Sequence, residues 1–291
     1  MPNHRTSILR HLRALVGERH PDASPKALRS AARYLAEEFS RAGLSTSGQL
    51  VRAGGKVCRN ILAIKHPRQP AGTPPAPLLI GAHYDTVAGS PGADDNASAL
   101  AVLLEAAFRL RHLELDRPVW FVAFCLEEQG LLGSRAFVAR LKQSGRQLIG
   151  AIILECVGYA SEEPGSQRSP HGLPIAVPSV GNFLGIVGTD SSRSLVEAVE
   201  RGARRAAPDL KTLAFAVPGA GQTLPDVRRS DHAAFWDAAY PAVMLTDTAN
   251  FRNPHYHRST DAIETLNLTF LEQVVETVVE SIGELTGRSH A

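Results

Sequence analysis

The sequence predicts an α/β layer fold, with a largely parallel sheet covered by helices on both faces. Short apolar runs alternate with helix-length amphipathic stretches from Asn60 almost to the end of the chain. The runs at 78–83, 119–126 and 149–157 are apolar at nearly every position, as strands buried on both faces are; strands with one wet face would alternate. The repeated strand-then-helix order is the one that brings a chain back to begin a parallel neighbour.

Element by element, Ser24 and Pro25 supply an N-cap and a first-turn proline. Leu28, Ala31, Leu35, Phe39 and Ala42 keep helical spacing, and Gly43 closes the helix. Residues 60–64 read as a strand, and 69–77 as a Pro/Gly-rich surface connection to the strand at 78–83. There follow a helix at 97–110, a strand at 119–126, a helix at 131–141 and a strand at 149–157. Residues 162–182, rich in Pro, Gly and Ser, read as a long loop or flap. The alternation then resumes with a strand at 184–188 and a helix at 194–206 that carries Leu195, Val199 and Ala203 on one face. A strand at 213–217, a helix near Ala233 to Trp236, a strand at 242–245 and a helix at 271–285 complete it. Neither repeats nor a linker interrupt this pattern, and the chemically suggestive segments span it, so a single domain over 1–291 is expected.

The 31 Lys and Arg nearly balance the 29 Asp and Glu, and no basic block interleaves with aromatics, which argues against nucleic acid as a partner. Residues 1–7 are polar and lead into an amphipathic stretch without a secretory apolar core. No segment offers the roughly 18 apolar residues of a membrane span, and a soluble, cytoplasmic protein is expected. The cysteines number three, and Cys125 and Cys156 lie in apolar runs, so reduced core thiols are expected.

Potential metal ligands recur in the order His, Asp, Glu, Asp or Glu, His, each at the end of a strand-like run or in the loop after one. His83 ends a strand, at the sheet edge where open α/β folds bind ligands. Asp85 is placed to accept the other imidazole N–H and so fix the tautomer. In the loop 92–98 an acidic or amide residue could simply cap the following helix. Alternatively a carboxylate there could bridge two cations with its two oxygens, Asp95 being the first candidate and Asp94 the second. Glu127 and Glu128 follow a strongly apolar run. In near-extended backbone their side chains point to opposite sides, so that one can bind metal while the other faces a reacting water. Glu155 ends a similar run and needs a partner to offset desolvation. His255 and His257 are two apart, and only one need be a ligand. Such a set of imidazoles and carboxylates suits a zinc-type cation, with manganese or cobalt also acceptable.

The segments at 81–86, 91–98, 127–134, 230–232 and 253–257 together resemble the motifs of the M28 family of co-catalytic zinc metallopeptidases, and the resemblance extends over roughly 61–266. It implies a mixed sheet sandwiched by helices and two zinc ions bridged by Asp95. One ion would be completed by His83 and Glu155, the other by Glu128 and His257. It further implies Glu127 as general base, Tyr256 as a donor to the oxyanion and a cis peptide after Asp95; beside these, Asp85 and Asp231 are expected to support the ligands, and His232 to support them, to bind substrate or simply to pack at a helix start. Glu155 stands where the family more often has Asp, and its extra methylene is expected to shift or weaken that ion. Ala99 and Arg258 replace a frequent Gly and Thr.

The implied activity is an aminopeptidase acting on peptides, with Glu155 and Glu127 as partners for the substrate amine. Its side-chain pocket would be built from 162–183 and 223–232, with Phe183, Leu224 and Trp236 as walls. Three rivals share the fold: a carboxypeptidase using Arg252 or Arg258 as a carboxylate clamp, a single-zinc glutaminyl-cyclase-like transferase, and a non-catalytic binding protein. The oligomeric state has no signature in the sequence.

Overall fold

A computed structural model describes residues 4–53, 55–68 and 75–287; most of the expected connection at 69–77 lies outside these residues. Their strands form one eight-stranded sheet: β1 (Ser45–Ala53), β2 (Lys56–Lys65), β3 (Leu78–His83), β4 (Val119–Phe124), β5 (Gly150–Glu155), β6 (Phe183–Thr189), β7 (Lys211–Val217) and β8 (Ala242–Thr246). The order across it is β1-β2-β4-β3-β5-β8-β6-β7. The central β4-β3-β5-β8 block is parallel throughout, β6 and β7 are parallel to each other, and the β1–β2, β2–β4 and β6–β8 pairs are antiparallel. The sheet is therefore mixed with a parallel centre.

The helices are α1 (His4–Leu15), α2 (Pro25–Arg41), α3 (Ala99–Leu110), α4 (Leu132–Gln143), α5 (Arg193–Ala206), α6 (His232–Asp237) and α7 (Leu268–Thr286). Alternate residues of one strand feed two cores. Leu78, Ile80 and Ala82 of β3 pack in the cluster under α1, α2, α3, α5 and α7, while Leu79 joins the cluster under α4 and α6. Burial on both faces is why β3, β4 and β5 are apolar throughout. None of the described helices is long and apolar enough to cross a membrane.

Three elements depart from expectation, the first being α1, a helix where only an amphipathic stretch was expected. β1 was not foreseen, because S-T-S-G-Q carries little apolar character; as an edge strand it is defined by pairing with β2 from Ser45↔Ile64 to Ala53↔Lys56. The helix expected from residue 97 begins as α3 at Ala99, preceded by a wide turn over Ala93–Ser98 that contains the cis Asp95–Asn96 peptide. No side chain caps that turn or α3, so the capping reading of the loop does not hold.

Candidate metal centre

Parallel strands emit their C-terminal ends on one edge, and the β4-β3-β5-β8 block brings four such ends together. His83 ends β3 opposite Phe124 of β4, and Glu155 ends β5 opposite Thr246 of β8. Glu127 and Glu128 come from the segment just past β4. That segment is a turn, not the extended backbone expected: Leu126 adopts φ 57°, and the amides of Gly130 and Leu131 both bond back to the Glu127 carbonyl.

Two groups of potential ligand atoms result, His83–Asp95–Glu155 and Asp95–Glu128–His257, each with its atoms within 4.8 Å of one another. Asp95 belongs to both. One oxygen lies 3.2 Å from His83 Nε2 and the other 3.0 Å from His257 Nε2. Glu155 Oε2 is 3.4 Å from His83 Nε2, and Glu128 Oε2 is 3.3 Å from His257 Nε2. Glu155 thus joins the first group despite its extra methylene, with Ser230 donating to its Oε2 at 2.6 Å.

His83 Nε2, Asp95 Oδ1 and Glu128 Oε1 are buried without a hydrogen-bond partner. Lone pairs that converge with no donor between them are costly in a protein interior and fit a cation. Oxygen and imidazole donors suit zinc, and manganese or cobalt as well.

The charges respond to this crowding. Burial raises the Glu127 carboxyl well above its usual range; the charges of Glu155, Asp231 and Glu128 add to the shift and His83 opposes it. Burial, then Asp95, lifts Glu128 to about 7. Burial opposes the ionised form of Asp95, yet the close imidazoles of His257 and His83 hold its carboxyl below the normal value.

The other expected residues divide. The Asp85 carboxylate accepts the Glu127 and Glu128 amides at 3.0 and 3.2 Å, so it fixes the acidic turn. His83 Nδ1 lies nearer the Asp85 carbonyl, at 3.2 Å, than its carboxylate, at 3.7 Å. Asp94 turns away to Gly158 N, Ser98 and Asn253. Asp231 is fully buried with neither carboxylate oxygen hydrogen-bonded, and burial raises its carboxyl to about 7.

His232 does not support the ligands. Its Nε2 donates to Val227 O at 2.7 Å, its ring meets Trp236 edge-on, and burial lowers it to about 4; it is a packing histidine. His255 bonds Thr260 and belongs to neither ligand group. Tyr256 stacks on His257 with centroids 3.9 Å apart, and its hydroxyl accepts from Arg229.

Several contributors carry no signal of their own in the sequence. Asn96 donates to Leu154 O and accepts from Cys156 N, bracketing Glu155 from both sides. Asp261 accepts the amides of Asp94 and Asp95. Asn60 accepts Cys125 N at the start of the acidic turn. Of these partners, Asn96, within the 91–98 motif, and Ser230, within Ser230-Asp231-His232, were within reach of sequence reasoning.

An apolar pocket opens beside Glu155 and Tyr256, where β6 runs antiparallel to β8; Phe183, Val187, Phe215 and Met244 line it, with Leu173 on the irregular segment above. That segment, the expected flap, is tied down through Gln167 to Thr248 and through Arg168 N to Phe251 O. Of the expected walls only Phe183 takes part; Leu224 and Trp236 pack in the core under α4 and α6. Arg252 is no clamp: it is 5% exposed and committed to Gln167, Tyr159 O and Phe183 O.

The sequence profile of Peptidase family M28 matches residues 60–282. The chain belongs to peptidase family M28. It is a peptidase, and its substrates are peptides. It is 33% identical to Uncharacterized protein YfbL of Escherichia coli (strain K12), over 96% of this chain and 86% of that one. It is 30% identical to Aminopeptidase YwaD of Bacillus subtilis (strain 168) over 78% of this chain, but spans only 44% of that protein's length. Among solved structures, the LapA aminopeptidase of Legionella pneumophila superposes with a TM-score of 0.73 at 20% identity, covering 98% of this M28 chain and 73% of that one. BSAP, a zinc aminopeptidase from Bacillus subtilis, gives 0.63 at 27% identity, over 81% and 52%. The glutaminyl cyclase of Porphyromonas gingivalis gives 0.71 at 19%, over 97% of both, so the fold alone does not separate hydrolase from cyclase.

Proposed function

We propose that this M28 peptidase is a dinuclear zinc aminopeptidase that removes N-terminal residues from peptides. The observation that carries the reading is the pair of ligand groups sharing Asp95, with Glu127 outside both and an apolar pocket alongside. His83, Asp95 and Glu155 would hold one ion, and Asp95, Glu128 and His257 the other. The ions would polarise the scissile carbonyl and acidify water near neutrality.

Glu127, whose burial strengthens its hold on a proton, takes one from the attacking water and returns it to the leaving amine nitrogen. Tyr256 donates its hydroxyl proton to the developing oxyanion, while Arg229 Nη2, 3.1 Å away, occupies that hydroxyl as a donor and leaves its proton free to point elsewhere. The apolar pocket takes the first side chain of the substrate, and Glu155 and Glu127 offer negative charge to its free amine.

Of the two clamp arginines the carboxypeptidase reading could use, Arg252 is fully committed and only the exposed Arg258 is left, and the single-zinc cyclase reading is disfavoured because the donor set is twofold. The test assays metal-quantified protein against aminoacyl-p-nitroanilides, free and N-acetylated. Cleavage of only the free-amine substrates, with Glu127→Gln binding zinc normally but slowed about 10²–10⁴-fold, is the expected result. Full turnover by Glu127→Gln, or preference for blocked substrates, sinks the assignment.

A further inference from the structure

Arg19 lies between α1 and α2, 41 residues before the first residue matched by the family profile, at Asn60. It is 2% exposed, although an arginine in a connecting segment ordinarily points to solvent. Its guanidinium bonds only main-chain carbonyls: Leu15 O and Gly17 O on its own segment, Tyr84 O at 2.8 Å, and Pro91 O and Gly92 O both at 3.0 Å. Its amide donates to Thr86 Oγ1 at 2.9 Å, and Gly17 N to Pro91 O at 2.8 Å.

Each outside anchor is close to a metal-ligand candidate. Tyr84 follows His83 directly, and Pro91 and Gly92 lead into Asp94 and Asp95. Gly92 has φ 62° and lies tightly against the arginine: a Cβ there would sit 2.9 Å from Arg19 Nη2 and press on the Asp95 carbonyl and the Thr86 methyl. Just after Gly92 the same loop is held by Asp261 through the Asp94 and Asp95 amides. Arg19 and Asp261 thus hold neighbouring stretches of one loop, one through the Pro91 and Gly92 carbonyls and one through the Asp94 and Asp95 amides.

A buried guanidinium without an ion-pair partner is unfavourable unless its surroundings repay the desolvation. Burial lowers Arg19 to about 10, and the charges of Asp95, Asp85, Asp261 and Glu128, at longer range, offset part of that cost, the carbonyl bonds satisfying its N–H groups. The reverse also holds: a fixed positive charge eases the crowding of carboxylates before any cation arrives.

We propose that Arg19 is a positioning residue of the metal centre, fastening the backbone beside His83 and ahead of Asp95 and supplying resident countercharge to the ligand carboxylates. The N-terminal segment is then part of the centre's construction, although it lies outside the matched region. This rests on the dinuclear reading above.

The test uses the full chain, stripped of metal and titrated with zinc against a chromophoric chelator, and separately with Co(II) followed by visible absorption. Arg19→Met is expected to keep its far-UV circular dichroism, raise the zinc dissociation constant at least tenfold and change the Co(II) bands. Arg19→Lys keeps the charge without the planar fork and should recover only part of the loss. Zinc constants and Co(II) spectra identical to the unaltered chain in Arg19→Met overturn the proposal. If Arg19→Met does not fold, Arg19→Lys decides alone: a threefold or greater weakening supports the role, and none overturns it. An unaltered chain that takes up no zinc overturns both this role and the dinuclear reading, whereas two bound ions with indifferent Arg19 variants overturn this role only.

Discussion

The two ligand groups share Asp95 but are built differently. In the inner one, His83 and Glu155 are the last residues of central strands; His83 is 1% exposed, and Glu155 is bracketed by Asn96 and bonded by Ser230. In the outer one, Glu128 comes from a turn and His257 from an irregular loop, with φ 60° and a side chain 35% exposed. Strand ends are placed by the hydrogen-bonded register of the sheet, whereas loop donors are placed by local contacts that open more cheaply. The difference teaches that the inner ion should be bound first and released last.

The largest effect that sharpens this comparison is expected from His83→Ala. It should reduce bound zinc from about two per chain to well below one and abolish peptidase activity, with zinc read by elemental analysis on the assayed sample. His257→Ala should leave about one zinc per chain and measurable residual activity. If the two variants lose metal equally, the distinction between inner and outer groups is broken.

A second test uses pH on the metal-stripped protein. Burial opposes the charged form of His257, but its bonds to Asp95 and Glu128 outweigh this and raise it to about 10 from 6.5. A raised histidine contributes stability that is complete below 6.5 and is lost as pH climbs through about 10. Glu128, raised to about 7 from 4.5, acts in the same direction over a lower window. The melting temperature of stripped protein should therefore fall from pH 5 to pH 9 while that of zinc-loaded protein falls less. A stripped protein that becomes more stable over this range contradicts the assigned contacts.

The smallest effect is expected from Ser230→Ala. Losing one hydrogen bond to a charged acceptor is worth about 1.5–3 kcal/mol, or roughly ten- to a hundredfold in inner-ion affinity, with the outer ion little changed. Competitive zinc titration reads both constants; a change confined to the outer ion would reverse the comparison.

Much of the sheet was legible because burial on both faces leaves unbroken apolar runs, as in β3, β4 and β5. β1 was not, since its polar residues are held by pairing with β2 and not by a pattern of their own. At the site, His83 and Glu155 announce themselves as polar residues closing apolar strands. His232 carried the same kind of chemical promise and proved to be packed against Trp236, because a helix-start histidine gives no hint of which way it faces.

By itself the sequence determined the alternating architecture, the family motifs and which side chains have ligand chemistry, since these follow from periodicity and local residue type. Only the tertiary structure decided which of them meet. It brought Asp261 to the amides of Asp94 and Asp95 and Ser230 to Glu155, turned Asp85 to the acidic turn, committed Arg252 to the flap, and buried Arg19 under the Asp95 loop. The physical reason is that such partners are chosen by the cost of leaving a buried charge or amide unpaired. That cost arises only after distant segments close on one another, so it leaves no trace in local spacing.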